Sequence, residues 1–254
     1  MRLSIRVALV VILVLALAGT ARAGFGVILP KGPDPAVKKW PHWPYETICG
    51  ETPFDPVGVF SGETVAEHGA GEPEAALRSL LAETLDTGLP TRFWRPVTLT
   101  ENSAEFASGR LSTVPYLLTF GRVGGRWAVV KSGSCRPHTV RDGILAARWR
   151  LTDDQRLTPA TRRIRVDLSP AYSECDSGRD AGEAAEAPRF TRRGGRLVIT
   201  IWVPPVSPPP PGFSYSCERG RQTPLVVELP GRLGSLSLWD GVTYPPREIL
   251  PGAR

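Results

Sequence analysis

The stretch VPYLLTFGRVGGRWAVVKS, residues 114–132, decides the fold class. Gly124 and Gly125 separate two apolar runs, Val114 to Val123 and Arg126 to Ser132. Adjacent glycines accept the positive φ that a two-residue hairpin turn demands at both central positions. Beyond the turn, Trp127, Val129 and Lys131 alternate with Ala128 and Val130, the period of a strand. Upstream, Ala104 to Ser108 reads as a further strand. Phe93 to Thr100 reads as another, broken at Pro96 and so an edge or bulged strand.

Glu72-Pro73-Glu74 opens the one convincing helix, with proline in the first turn and acids at the positive end of the dipole. Ala76, Leu77, Leu80, Leu81 and Leu85 recur at helical spacing, so one face is buried. Gly88 and Pro90 stop it. A helix of this kind packs on the antiparallel sheet that follows. Residues 143–149, GILAARW, form either a helical turn or a crossover strand.

After residue 150 the pattern changes. Residues 151–160 are polar and read as a junction. Strands follow at Arg162–Leu168, Arg196–Val203, Leu225–Leu229 and Ser235–Leu238. In the first, Ile164, Val166 and Leu168 face one way and Arg163, Arg165 and Asp167 the other, a half-buried strand. The second follows Gly194-Gly195 and is almost continuously apolar. Pro208 to Pro211 form a rigid loop. The expected fold is therefore α+β and β-rich: an N-terminal helix packed on an antiparallel sheet over residues 45–150, then a small β-sandwich over residues 161–254.

The chain has 254 residues, 41% of them hydrophobic, with glycine and proline together making about a fifth. A packed core punctuated by many turns follows, and wholesale disorder does not. Arg2 and Arg6 precede the apolar run Val7–Ala18, and Ala21-Arg22-Ala23 supplies a small-x-small site. Residues 1–23 are expected to be a cleaved secretory signal peptide, the run being too short for a comfortable membrane span; an uncleaved signal anchor is the alternative. Removing Arg2, Arg6 and Arg22 lowers the net charge from +6 to +3, spread over both halves, so no nucleic-acid partner is expected.

Four cysteines, Cys49, Cys135, Cys175 and Cys217, in an exported chain read as disulfides. Three connectivities are open. If the halves fold separately, Cys49–Cys135 and Cys175–Cys217 are favoured. Residues 24–44 read as a proline-rich extended arm with polyproline character. Within it Lys38, Lys39, Trp40 and Trp43 are either a tether packed on the first domain or an exposed aromatic–basic binding surface.

Catalytic patterns are sparse. His42, His68 and His138 are the only histidines, and no G-x-S-x-G, G-x-G-x-x-G, P-loop or H-E-x-x-H occurs. Asp176, Asp180 and Glu183 do not match a calcium loop. Glu101 and Glu105 read as surface residues flanking a strand. No catalytic residue, cofactor or metal is expected.

Two groups of residues carry a resemblance. The first is Thr119–Val129 with Gly133-Ser134-Cys135-Arg136-Pro137 and Trp149. The second is Glu174–Arg179, Cys217, Thr223-Pro224, Leu229-Pro230, Leu233-Gly234, Asp240-Gly241 and Pro245-Pro246. Over roughly residues 70–250 the chain resembles a family of exported actinobacterial two-domain proteins, often lipoproteins. The preponderance of arginine over Lys31, Lys38, Lys39 and Lys131 fits a GC-rich source. No cysteine follows the signal segment here, a departure from the lipoprotein pattern. The resemblance implies compartment and organisation and names no reaction. The expected function is a non-catalytic envelope or extracellular protein that presents surfaces to a protein or cell-wall polymer. The alternatives are a small-ligand carrier with a pocket in the first domain, and an envelope-acting hydrolase using unidentified carboxylates.

Overall fold

The computed structural model describes residues 34–50, 52–65, 71–83, 89–90, 92–111, 114–169, 181–204 and 223–249. They belong to one compact unit, Pro33–Arg254. The first half contains α1 (Pro35–Lys39), β1 (Glu46–Ile48), β2 (Pro53–Phe54), α2 (Pro56–Ser61), α3 (Glu72–Glu83), β3 (Arg95–Leu99), β4 (Ser103–Ser108), β5 (Tyr116–Val123) and β6 (Arg126–Ser134). The remainder contains β7 (His138–Arg141), β8 (Ile144–Leu145), β9 (Arg148–Leu151), β10 (Arg163–Ser169), α4 (Ala181–Ala184), β11 (Arg189–Arg193), β12 (Arg196–Thr200), β13 (Thr223–Glu228), β14 (Ser237–Asp240) and β15 (Arg247–Glu248). The protein is thus β-rich with few helices. Residues 1–23, Cys175, Cys217, the 208–211 proline loop, Asp176, Asp180, His68, and Leu85 and Gly88 at the expected end of the helix lie outside the described residues.

The quoted hairpin forms as read. Gly124 and Gly125 take φ of 58° and 77°, and β5 pairs with β6 through Val123↔Arg126 and Arg122↔Trp127. One sheet runs β3-β4-β5-β6, in chain order. Edge strand β3 bulges between Pro96 and Thr98, where proline has no N–H to give the ladder. The helix α3 lies on this sheet: Leu77 packs with Phe106, Leu118 and Phe120, and the two phenylalanine rings meet edge-on at 5.9 Å. Glu72 pins the end of α3 to β5 and β6 by accepting from Arg122 and from the Trp127 indole.

Residues 143–149 are strand, not helix, giving β8 and the start of β9. β9 pairs with β10 across the polar segment 151–160, so residues on the two sides of the expected junction share a sheet, β13-β10-β9. A third sheet runs β11-β12-β14-β15, antiparallel except for the parallel pair β12–β14. Ile164, Val166 and Leu168 of β10 share a core with Leu197 and Ile199 of β12 and with Leu238 of β14. A fourth sheet, β2-β1-β7-β8, joins the start of the described chain to its middle. The disulfide Cys49–Cys135 links the residue after β1 to the residue after β6, closing 86 residues of chain. Among the described residues no helix is long and apolar enough to cross a membrane.

Candidate functional site: a cation-capped aromatic seam

Residues 34–44 do not run as an extended polyproline arm; they begin with a helix. The cause is local. Asp34 precedes Pro35, and its Oδ1 accepts from the Ala36 N–H at 2.7 Å. Proline at the first helical position gives up only an N–H that would be unpaired anyway, and its fixed φ suits the helix. The proline content that points to an extended arm therefore starts α1 instead. The Asp34 Oδ2 accepts from the Leu111 N–H at 2.9 Å, which ties the helix to the loop after β4.

This turn drives the tryptophans inward. Trp40 is 1% exposed and Trp43 is 8% exposed, whereas Lys38 and Lys39 remain at the surface. The aromatic–basic surface expected from all four residues is thus divided, with rings inside and charges outside. Trp40 meets Trp239 of β14 edge-on at 5.4 Å, and the Tyr244 hydroxyl donates to the Trp40 carbonyl at 2.9 Å. Trp43 contacts Tyr244 at 5.7 Å and Tyr45 at 5.6 Å, and Tyr45 contacts Trp202 at 4.9 Å. Six rings therefore form one continuous seam. Edge-to-face contacts of this kind add to area burial because ring edges are positive and ring faces negative.

Cations cap both ends. Arg141 stands over the Trp202 ring at 4.3 Å and also pairs with Glu186. At the other end Lys39 Nζ lies 4.6 Å from the Trp239 centroid. The Arg196 guanidinium lies 5.5 Å from the Trp239 centroid and 5.3 Å from that of Trp40. The β11–β12 hairpin puts Arg193 directly opposite Arg196, across Gly194 and Gly195, which take φ of 49° and 77°. Neither Lys39, Arg193 nor Arg196 has a carboxylate within ion-pair distance among the described residues. Glu248 of β15 lies opposite Trp239 in register and is exposed, while two further acids around Tyr244 are committed elsewhere. Asp34 caps α1, and Asp55 caps α2 by accepting from the Val57 and Gly58 N–H groups. Burial pushes the Tyr244 hydroxyl up, Asp34 and Asp55 push it further, and Arg193 opposes them.

Other titratable groups cluster where β14 ends. Asp240 is buried and its Oδ1 accepts from the Val242 N–H at 2.9 Å. Burial raises its pKa to about 7, against that hydrogen bond and the charges of Arg247 and Arg148. His138 contacts the Ala146 carbonyl at 2.7 Å through Nε2, and burial holds it below the ordinary histidine range. Glu105 is not a surface residue: it sits mid-strand in β4, 4% exposed, on the face it shares with Ala107. Glu101 and His42 are exposed. No group of three or more His, Cys, Asp or Glu side chains is arranged to hold a metal among the described residues.

Lys38, Lys39, Trp40 and Trp43 stand out in the sequence, whereas Arg193, Arg196, Trp239 and Tyr244 do not. One signal was present: arginines flanking a diglycine turn lie on one face of a hairpin. No family model, curated protein or solved structure matches the chain.

Proposed function

We propose that the protein is an exported, non-catalytic envelope or extracellular protein, delivered by a cleaved signal segment at residues 1–23. Its surface around α1 and the β11–β12 turn engages an envelope protein or cell-wall polymer. One observation carries this reading: Lys39 and Arg196 both lie against the Trp239 ring with no ion-pair partner among the described residues. Aromatic faces hold the two charges in place, and a partner supplies the counter-charge. The shared core of β10, β12 and β14 supports a small β-sandwich as the platform beneath that surface. The test is sedimentation of the secreted chain with cell envelopes. Wild type should pellet, and Lys38→Gln with Lys39→Gln should pellet less while melting at the same temperature. Equal pelleting by both would remove the basis for the reading.

A carrier for a small polar ligand is the second reading. The Trp43 and Trp202 indole N–H groups and the Thr139 hydroxyl are buried with no hydrogen-bond partner among the described residues. Thr139 and Arg141 point to one face of their sheet, where Arg141 covers Trp202. Three buried donors, two of them on rings linked edge-on through Tyr45, match a ligand rich in acceptor oxygens. A ligand retained through gentle purification and seen by native mass spectrometry would favour the carrier.

A further inference from the structure

The sheet β11-β12-β14-β15 has two unlike faces. Leu197, Ile199 and Leu238 point into the shared core. Arg193, Arg196 and Trp239 stand on the opposite face, since Arg193 pairs with Arg196 and Trp239 with Val198 in register. Side chains directly opposite on an antiparallel pair have Cβ atoms about 5 Å apart, and like charges there repel. Lys39 adds a third positive charge. Its distance and that of Arg196 to the one Trp239 centroid place the two within about 10 Å, roughly a Debye length at physiological salt. A protein surface normally relieves such crowding with a carboxylate. Among the described residues Asp34 and Asp55 each commit both oxygens to backbone N–H groups, and the exposed Glu248, opposite Trp239 in register, makes no ion pair with Lys39, Arg193 or Arg196.

We propose that Lys39, Arg193 and Arg196 form a binding site for a phosphate-type oxyanion, and that this is the group through which the surface proposed above takes its partner. The chemistry follows from donor count. A carboxylate has two oxygens, which one guanidinium fork satisfies. Two guanidinium groups and an ammonium call for a tetrahedral anion that offers three or more oxygens at different angles. Access is open, because Lys39 is exposed and both arginines are partly so. The rings beneath are buried, so they fix the cations and do not stack on the ligand. The donors come from α1 and from both strands of the hairpin, so the site exists only once residues 34–40 have docked against residues 193–196.

This inference rests on the reading of that surface, and its test is separate. The full chain is titrated calorimetrically with inorganic phosphate, long-chain polyphosphate and acetate, with a thermal melt in each. Phosphate and polyphosphate should bind and raise the melting temperature, and acetate should do neither. Arg193→Gln and Arg196→Gln should each weaken binding by roughly tenfold, the loss of a charge-assisted hydrogen bond. Lys39→Gln, at an exposed position, should weaken it less without moving the unliganded melt. Equal affinity per site for the two phosphates marks a site for the free anion, and much tighter polyphosphate binding marks a polymer-borne group; both support the proposal. Absence of phosphate binding, equal binding of acetate, or undiminished binding by folded Arg193→Gln and Lys39→Gln variants would overturn it. If envelope sedimentation persists without phosphate binding, only the ligand class fails. If Lys38→Gln with Lys39→Gln pellets like wild type, the surface reading fails first.

Discussion

The sheet under α3 and the seam behind α1 are both aromatic-rich, yet they are assembled differently. The sheet is local: β3, β4, β5 and β6 lie side by side in the order the chain makes them, and the helix just before them covers one face. The seam draws on residues from Ala36 to Tyr244, and the hydrogen bond from Tyr244 to Trp40 spans 204 residues. Periodicity within one element is enough to build the first. The second exists only when distant elements meet, so its residues carry no shared period.

That contrast gives a ranked set of tests. Trp40→Ala should cost about 3–5 kcal/mol in urea unfolding, the usual price of deleting a fully buried large aromatic. Phe106→Ala should cost about as much. The two differ in reach. Hydrogen exchange should rise around Trp239 and Tyr244 in the Trp40 variant, and only around α3 and β3–β6 in the Phe106 variant. Identical patterns would erase the distinction between the regions.

The disulfide bridges the two regions, since Cys49 follows β1 and Cys135 follows β6. Replacing both cysteines with serine should destabilise by about 2–5 kcal/mol, because the unfolded chain regains the freedom of an 86-residue loop. Loss of less than about 1 kcal/mol would mean that packing alone holds the regions together.

Asp240 supplies a pH test within the seam's own sheet. Its native pKa of about 7 lies above its ordinary value of 3.8. Between about pH 4 and pH 7 the native state keeps a proton that the unfolded chain has released. This residue's contribution is therefore full below about pH 4, lost as pH rises through about 7, and flat beyond. His138 slopes the other way, since its depressed pKa favours folding as pH rises toward the ordinary histidine value. The difference between wild type and Asp240→Asn isolates the aspartate. The variant should gain on wild type by a few kcal/mol on the order expected for a buried carboxyl, between pH 4.5 and pH 8. A difference independent of pH would contradict the buried acid.

At the small end, Arg165→Ala should change stability by less than about 0.5 kcal/mol, since its pair with Asp154 is exposed on both sides. The outer face of β10 belongs to neither region, and a larger loss there would blur the comparison.

What the sequence disclosed follows the same division. Gly124-Gly125, the leucine stripe of α3 and the Ile164–Val166–Leu168 alternation are short-range patterns; the two hairpin strands and β10 formed close to their expected bounds, and α3 starts at Glu72 as expected. The proline count of residues 24–44 points to an extended arm and masks one dipeptide, Asp34-Pro35, whose capping chemistry starts a helix. Strands of two or three residues such as β1 and β2 have too little length to show a period. Glu105 looked exposed because nothing in its neighbours reveals that β4 is covered on both faces. The cations at the seam were half legible: Lys39 stood out beside Trp40, whereas Arg196 becomes significant only with Trp239 behind it.

The seam exists only if residues 34–44 are core rather than arm. Hydrogen exchange on peptides covering this segment decides it most directly. The Val37 and Lys38 N–H groups donate to the Asp34 carbonyl, and the Trp40 N–H donates to the Ala36 carbonyl at 2.8 Å beneath buried rings. Exchange there should be slow, approaching that of β4, and protection should be lost in the Trp40→Ala variant. Exchange at the rate of an unstructured peptide in the wild-type protein would contradict that core placement, and with it the seam that places Lys39 beside Arg196.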